Sequence, residues 1–202
     1  LIYVLIGFAA LYIGFRVDYL KYRNWTGMIL SACIILLLIV FAPVIGKSAG
    51  GASRWIDLGF FSFQPSEFAK LAVVIYLADV ISKREKHMRN LFKGIVPILG
   101  VVCFICLLVL KQPDLGTILV IYGTALIMLY AGGASAIHIL VIVGVSFFAF
   151  LFISFISPYR KRRLLAYINP WKDPLGIGFH IIQSLIAVGS GGLLGLGIGS
   201  SR

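Results

Sequence analysis

Four stretches of this sequence group polar residues at spacings that could do chemistry, each set among apolar runs. The first is Ser53-Arg54-Trp55-Ile56, which offers a guanidinium for a phosphate or carboxylate. The second is Phe63-Gln64-Pro65-Ser66-Glu67-Phe68-Ala69-Lys70. Pro65, Ser66 and Glu67 form a helix-start signal, with a small polar residue at the cap and an acid beside the positive end of the dipole. Glu67 and Lys70 stand three apart and so share one helical face. An ionised group deep in hydrocarbon costs about 2.5–3.5 kcal/mol on insertion scales, so this pair belongs near an interface or beside a polar cavity. It is either a structural pair at a helix mouth or the wall of a substrate cavity. The third stretch, Lys111-Gln112-Pro113-Asp114-Leu115-Gly116-Thr117, is a reversal: Pro113 blocks helix continuation and Gly116 permits a tight turn. Asp114 either caps the following helix or faces the same cavity. The fourth begins Pro158-Tyr159-Arg160-Lys161-Arg162-Arg163, continues through Asn169-Pro170-Trp171-Lys172-Asp173-Pro174, and reaches Gln183-Ser184 before a glycine-rich end. Four consecutive cations suit a headgroup-binding amphipathic segment or a cradle for a diphosphate.

The elements between these stretches are set by composition. Of 202 residues, 60% are apolar and 12% charged, and the mean hydropathy is +1.03. Soluble domains sit near ~45–50% and ~25%. The chain is therefore expected to be an integral membrane protein; disorder, coiled coil and secreted disulfide scaffold are excluded. The net charge of +11 points to anionic headgroups or a phosphate-bearing substrate, and nucleic acid is not an expected partner. Cys103 and Cys106 have CxxC spacing, yet no second cysteine pair or histidine stands near, so neither metal nor redox chemistry is expected there. His87 and His138 read as structural, while His180 falls in the polar tail. The glycine-rich end has no GKS or GKT and no strand leading in, which argues against a nucleotide site. Asn24-Trp25-Thr26 matches a glycosylation sequon but falls on the inferred cytoplasmic side.

Six apolar runs are candidates for spans: 1–15, 26–45, 66–81, 94–110, 117–131 and 136–157. Alternate loops then fall on opposite faces. The total of basic residues does not orient the chain, but the early loops do. Arg16, Lys21, Arg23, Lys83, Arg84, Lys86, Arg89 and Lys93 lie on one face, against Lys47, Arg54 and Lys111 on the other. The positive-inside rule places the first group in the cytoplasm. The tail from Pro158 is then extracytoplasmic, with 179–188 too short to span and suited to an interfacial or re-entrant half-helix. This gives an all-α, polytopic membrane bundle of about six helices (1–157), followed by an extracytoplasmic loop (158–202). Leu1 and the glycine-rich end are read as marking an internal fragment of a longer chain.

In this order, the motifs resemble the SEDS family of bacterial cell-wall polymerases, whose members are FtsW, RodA and SpoVE. The resemblance rests on Ser53 to Ile56, Phe63 to Lys70, Gln112 to Thr117, Pro158-Tyr159-Arg160 with Arg163, Asn169-Pro170-Trp171 with Asp173-Pro174, and Gln183-Ser184. The Asn-Pro-Trp-x-Asp-Pro form is closer to the FtsW/SpoVE branch than to RodA. The resemblance implies about ten spans in the whole family fold, of which this chain would supply the second to seventh. It implies a peptidoglycan glycosyltransferase polymerising lipid II in septal cell-wall synthesis, in the bacterial plasma membrane. The implied partners are a class B penicillin-binding transpeptidase and divisome membrane proteins. Arg54, Glu67 and Lys70 would line the cavity, Arg160 and Arg163 would meet the diphosphate, and Gln183 and Ser184 would shape the glycan groove, with Asp114 a weaker candidate. Cationic groups or a divalent ion (Mg or Mn) would stabilise the departing diphosphate. The family's proposed catalytic Asp, in a Thr-Asp-Phe motif, is expected beyond Arg202, so no catalytic base is assigned and the fragment alone is expected to be inactive. A lipid II flippase, a RodA-type elongation polymerase and a scaffold that only recruits a transpeptidase are the competing readings.

Overall fold

In hydrocarbon the backbone must satisfy its own hydrogen bonds, so long apolar runs fold as helices. The computed structural model describes residues 2–41, 46–49, 52–57, 62–112, 114–156, 168–192, 195 and 197. They fall into two compact units, Leu1–Ile139 and Leu140–Arg202.

The first unit opens with α1 (Ile2–Arg16) and α2 (Tyr19–Ile39). Asp18 caps α2 by accepting a hydrogen bond from the Leu20 N–H at 3.0 Å. That cap starts the helix well before the expected 26, so Lys21, Arg23 and the Asn24-Trp25-Thr26 triplet are helical. Long basic side chains can be carried on the end of a span because their heads reach back to water. The helix stops at Ile39 rather than 45, ahead of Pro43, which disfavours helical backbone in the residue before it.

The next stretch departs from the all-helical expectation. Strands β1 (Gly46–Ala49), β2 (Ala52–Asp57) and β3 (Ser62–Phe63) form an antiparallel sheet in that order. Lys47 pairs with Trp55, Ile56 pairs with Phe63, and a register irregularity falls between Lys47 and Ser48.

β3 leads through Gln64 into α3 (Pro65–Lys83), with Pro65 in the first turn. Its Ala69, Ala72, Val73 and Leu77 are buried at helical spacing. They share the core with Cys33 and Leu37 of α2 and with Ile121, Ala125 and Leu129 of α5 (Leu115–Ala131). Small residues on α3 let it pack against both neighbours. After a 3-10 turn (Glu85–His87), a π-helical turn (Leu91–Ile95) enters α4 (Val96–Lys111). Asn90 caps that turn, accepting from the Phe92 and Lys93 N–H groups at 3.1 Å each. Pro97 has no N–H to close an α turn there, which favours the wider one. The described residues of α1 from Val4 to Arg16 are exposed, as expected of a helix solvated by lipid.

The second unit holds most of α6 (Ala136–Ile156), a 3-10 turn (Pro170–Lys172) and α7 (Phe179–Gly191). α7 has 13 residues, the expected half-helix length. The turn before it is tied to Asp173, whose carbonyl accepts from the Gly176 and Gly178 N–H groups at 3.3 and 3.1 Å. A Cβ on Gly178 would collide with the Pro170 carbonyl oxygen, so only glycine fits this close approach.

Candidate functional site

Three chain segments that are remote in sequence meet at the end of the first unit nearest the sheet. Gln64, the residue before α3, donates its Nε2–H groups to Ser66 Oγ (2.8 Å) and to Asp114 Oδ2 (3.1 Å). Asp114 is the N-cap of α5. Its Oδ1 accepts from the Thr117 N–H at 3.2 Å, and its Oδ2 accepts from the Thr117 hydroxyl at 2.8 Å. Gln112, at the end of α4, is buried and donates from Nε2 to the Leu37 carbonyl at 3.3 Å. The Gln-Pro-Asp turn thus binds α2, the α3 mouth and the α5 mouth together. Of the two readings of Asp114, the capping role is realised, and Gln64 adds a tertiary link to it.

Lys70 Nζ sits 2.8 Å from Glu67 Oε2, one turn into α3. The Lys70 and Glu67 side chains are 34% and 56% exposed, whereas Ser66 between α3 and the Gln64 amide is fully buried. Glu67 and Lys70 therefore project from a fixed helix mouth toward the open side. Arg54 stands in β2, in the sheet that runs directly into α3; its side chain lies outside the described residues. Arg160 and Arg163 also lie outside them.

In the second unit, Gln183 is half-buried and Ser184 exposed. Ser184 Oγ donates to the His180 carbonyl at 2.8 Å. His180, Gln183 and Ser184 are spaced i, i+3 and i+4, so they form one polar stripe along a helix otherwise rich in Ile, Leu and Val. The sequence reading had not joined His180 to the other two, although the spacing was visible.

One buried acid was missed altogether. Asp79 lies within α3 with a side chain 6% exposed. Lys83 Nζ approaches its Oδ2 at 2.6 Å and Arg23 Nε its Oδ1 at 3.3 Å, so it ties α2 to α3 at the far end from Glu67. The signal was an acid inside an apolar run, four residues before a lysine. Among the described residues no three His, Cys, Asp or Glu side chains converge as metal ligands. Asp114 already accepts from Thr117 and Gln64, so these residues do not build a cation cage.

The family model described as "Cell cycle protein", covering FtsW, RodA and SpoVE, matches residues 1–202. The chain belongs to the FtsW/RodA/SpoVE family. It is 44% identical over 204 residues to "Stage V sporulation protein E" of Bacillus subtilis (strain 168), covering 100% of this chain and 55% of that protein. It is 41% identical over 203 residues to the "Probable peptidoglycan glycosyltransferase FtsW" of Geobacter metallireducens, covering 100% of this chain and 54% of that one. The chain thus spans about half the length of the curated relatives it matches. Among solved structures, one described as "Structural coordination of polymerization and crosslinking by a peptidoglycan synthase complex" aligns with a TM-score of 0.70 and 30% identity. That alignment covers 94% of this chain and 56% of the other. The Thermus thermophilus rod shape determining protein RodA aligns with a TM-score of 0.56 at 22% identity, covering 85% of this chain and 58% of that one, and shares the fold. The family membership bears out the resemblance, the helical membrane bundle and the membrane location expected from composition.

Proposed function

We propose that this chain is the cavity-bearing part of a peptidoglycan glycosyltransferase that polymerises lipid II during septal wall synthesis. The observation carrying this reading is the end-to-end family match, including a relative named as an FtsW glycosyltransferase. The Gln64–Asp114 junction supports it, because it ties the start of α3, which carries Glu67 and Lys70, to the start of α5. In the reaction a sugar 4-hydroxyl attacks the anomeric carbon of a chain held on undecaprenyl diphosphate. The new C–O bond forms as the bond to diphosphate breaks, and a base takes the hydroxyl proton. Arg54 and Lys70 would face the acquired negative charge, as preorganised cations do at a leaving group. Arg160 and Arg163 would grip the diphosphate, and Gln183 and Ser184 the glycan. No catalytic base is assigned among these residues, and no step is routed through a metal ion. A class B penicillin-binding transpeptidase is the proposed partner, in line with the synthase complex among the structural neighbours.

The test is lipid II polymerisation by the full-length protein with its transpeptidase partner, with moenomycin present to silence classical glycosyltransferases. Glycan chains that disappear on Arg54→Ala or Lys70→Ala in a folded complex are the expected result. Unchanged chain formation in both variants refutes the site, and no chains from the folded wild-type complex refute the activity.

A further inference from the structure

The opposite end of the first unit holds a cavity of ≈ 740 Å³, between the end of α3 with its 3-10 turn and the Gly132–Gly133 turn after α5. Apolar Ala78, Ile81 and Ala131 contribute to its lining. Ser82, Glu85, Lys86 and Arg89 bring a hydroxyl, a carboxylate and two cations to it. The absence of a side chain at Gly132 lets Ile81 pack directly on this turn, since a Cβ there would collide with Ile81 Cγ2.

The charges at this end are not equally engaged. Arg23 and Lys83 hold Asp79, Arg84 donates to the Lys93 carbonyl, and Arg16 contacts Tyr12. Among the described residues, no carboxylate lies within ion-pair distance of Lys86 or Arg89. Both are exposed, and both line the cavity. The same end carries exposed amphipathic rings: Tyr19 and Trp25 on α2 and Tyr130 on α5. Amphipathic rings of this kind mark the headgroup level of a bilayer. The cavity lies at the end of the unit that carries these rings, and its lining combines apolar residues, one carboxylate and two cations that have no carboxylate partner among the described residues.

From this juxtaposition we infer that the cavity is a binding site for an anionic phospholipid headgroup, on the face that the early basic loops assign to the cytoplasm. Lys86 and Arg89 take the phosphodiester, Arg by its fork of N–H donors and Lys as a point charge. Ser82 adds a hydroxyl donor, and Glu85 is the one lining group of opposing charge. The net positive lining favours a headgroup of charge −1, such as phosphoglycerol, over a zwitterionic one. A site of this size falls within the ~300–1,000 Å³ range of ordinary ligand pockets.

Native mass spectrometry of the full-length protein, titrated with phosphatidylglycerol, phosphatidylethanolamine or glycerol 3-phosphate, tests it. Basic side chains near an anionic surface contribute about fivefold each, so Lys86→Gln/Arg89→Gln should weaken phosphatidylglycerol binding about thirtyfold. Lys93→Gln, outside the cavity, should leave it unchanged. Glu85→Gln removes the one opposing charge and should bind more tightly, an effect that misfolding cannot imitate. Equal binding by wild type and the double variant overturns the site. So does weaker binding by Glu85→Gln. Preference for phosphatidylethanolamine overturns the anionic assignment, and full displacement by glycerol 3-phosphate overturns the lipid source.

Discussion

Lys70 and Glu67 illustrate how a magnitude separates a structural role from a functional one. An ion pair spaced i, i+3 with one partner exposed and the other partly so contributes only about 0.2–0.5 kcal/mol. Lys70→Ala should therefore leave the melting temperature of the purified protein within error of wild type while abolishing glycan synthesis. A large fall in melting temperature alongside the lost activity would return the pair to a purely structural role. Asp114 is the contrasting case. It caps α5 through Thr117 and receives Gln64 from 50 residues away. Removing such a cap costs about 0.5–2 kcal/mol, and the Gln64 contact adds to that. Asp114→Ala should lower thermal stability measurably, whereas Asp114→Asn, which keeps an acceptor for the Thr117 N–H but loses the Oδ2 that takes Gln64 and the Thr117 hydroxyl, should recover part of it. If both variants melt alike, the cap is not what Asp114 supplies.

At the scale of elements, the link between α2 and α3 is asymmetric. Asp79 is buried, but Arg23 and Lys83 are half-exposed, at 51% and 52%. Deleting the acid releases two cations that can turn to water. Deleting both cations strands a buried carboxylate, and breaking a buried pair in that way costs about 3–5 kcal/mol. Arg23→Met/Lys83→Met should thus reduce folded yield and melting temperature far more than Asp79→Ala; the reverse order would show that burial of Asp79 is not what the cations offset. The turn before α7 gives a second comparison. Gly178→Ala drives a Cβ into the Pro170 carbonyl, while Gly189→Ala meets nothing within 4 Å. Hydrogen exchange across 173–182 should speed up in the first variant and stay the same in the second. These elements also show what the sequence makes legible. The spans were readable because hydropathy is a sum over many residues, so errors at single positions average out. Their ends were not, because an end turns on one residue: Asp18 moved the start of α2, and Pro97 put a π turn before α4. The three short strands were hidden because a two-residue strand such as Ser62–Phe63 is defined only by its partner. Glu67, Lys70 and Asp114 were found from local spacing, whereas the bonds of Gln64 to Asp114 and of Arg23 to Asp79 join residues too far apart for any local pattern to reveal.

For the whole molecule, orientation couples the two proposals, since the proposed polymerase mouth must face outward and the headgroup cavity inward. The sheet end and the Lys83–Lys93 end lie at opposite ends of α3, because β3 feeds its first residue and the basic turn follows its last. Orientation of one therefore fixes the other. The early loops argue from charge: crossing the bilayer is costly for Lys and Arg, so short loops rich in them stay on the side of synthesis. Cysteine labelling checks this directly. Cys33 and Cys106 are buried and Cys103 exposed within helices, so all three are first replaced by alanine. Lys47→Cys in β1 or Lys86→Cys in the basic turn is then introduced singly. In intact cells whose outer envelope admits the reagent, a membrane-impermeant maleimide should label Lys47→Cys at once. It should label Lys86→Cys only after the plasma membrane is opened. The inverse pattern would place Glu67 and Lys70 in the cytoplasm, on the wrong side for extracytoplasmic glycan synthesis, and would remove the polymerase assignment with a single measurement.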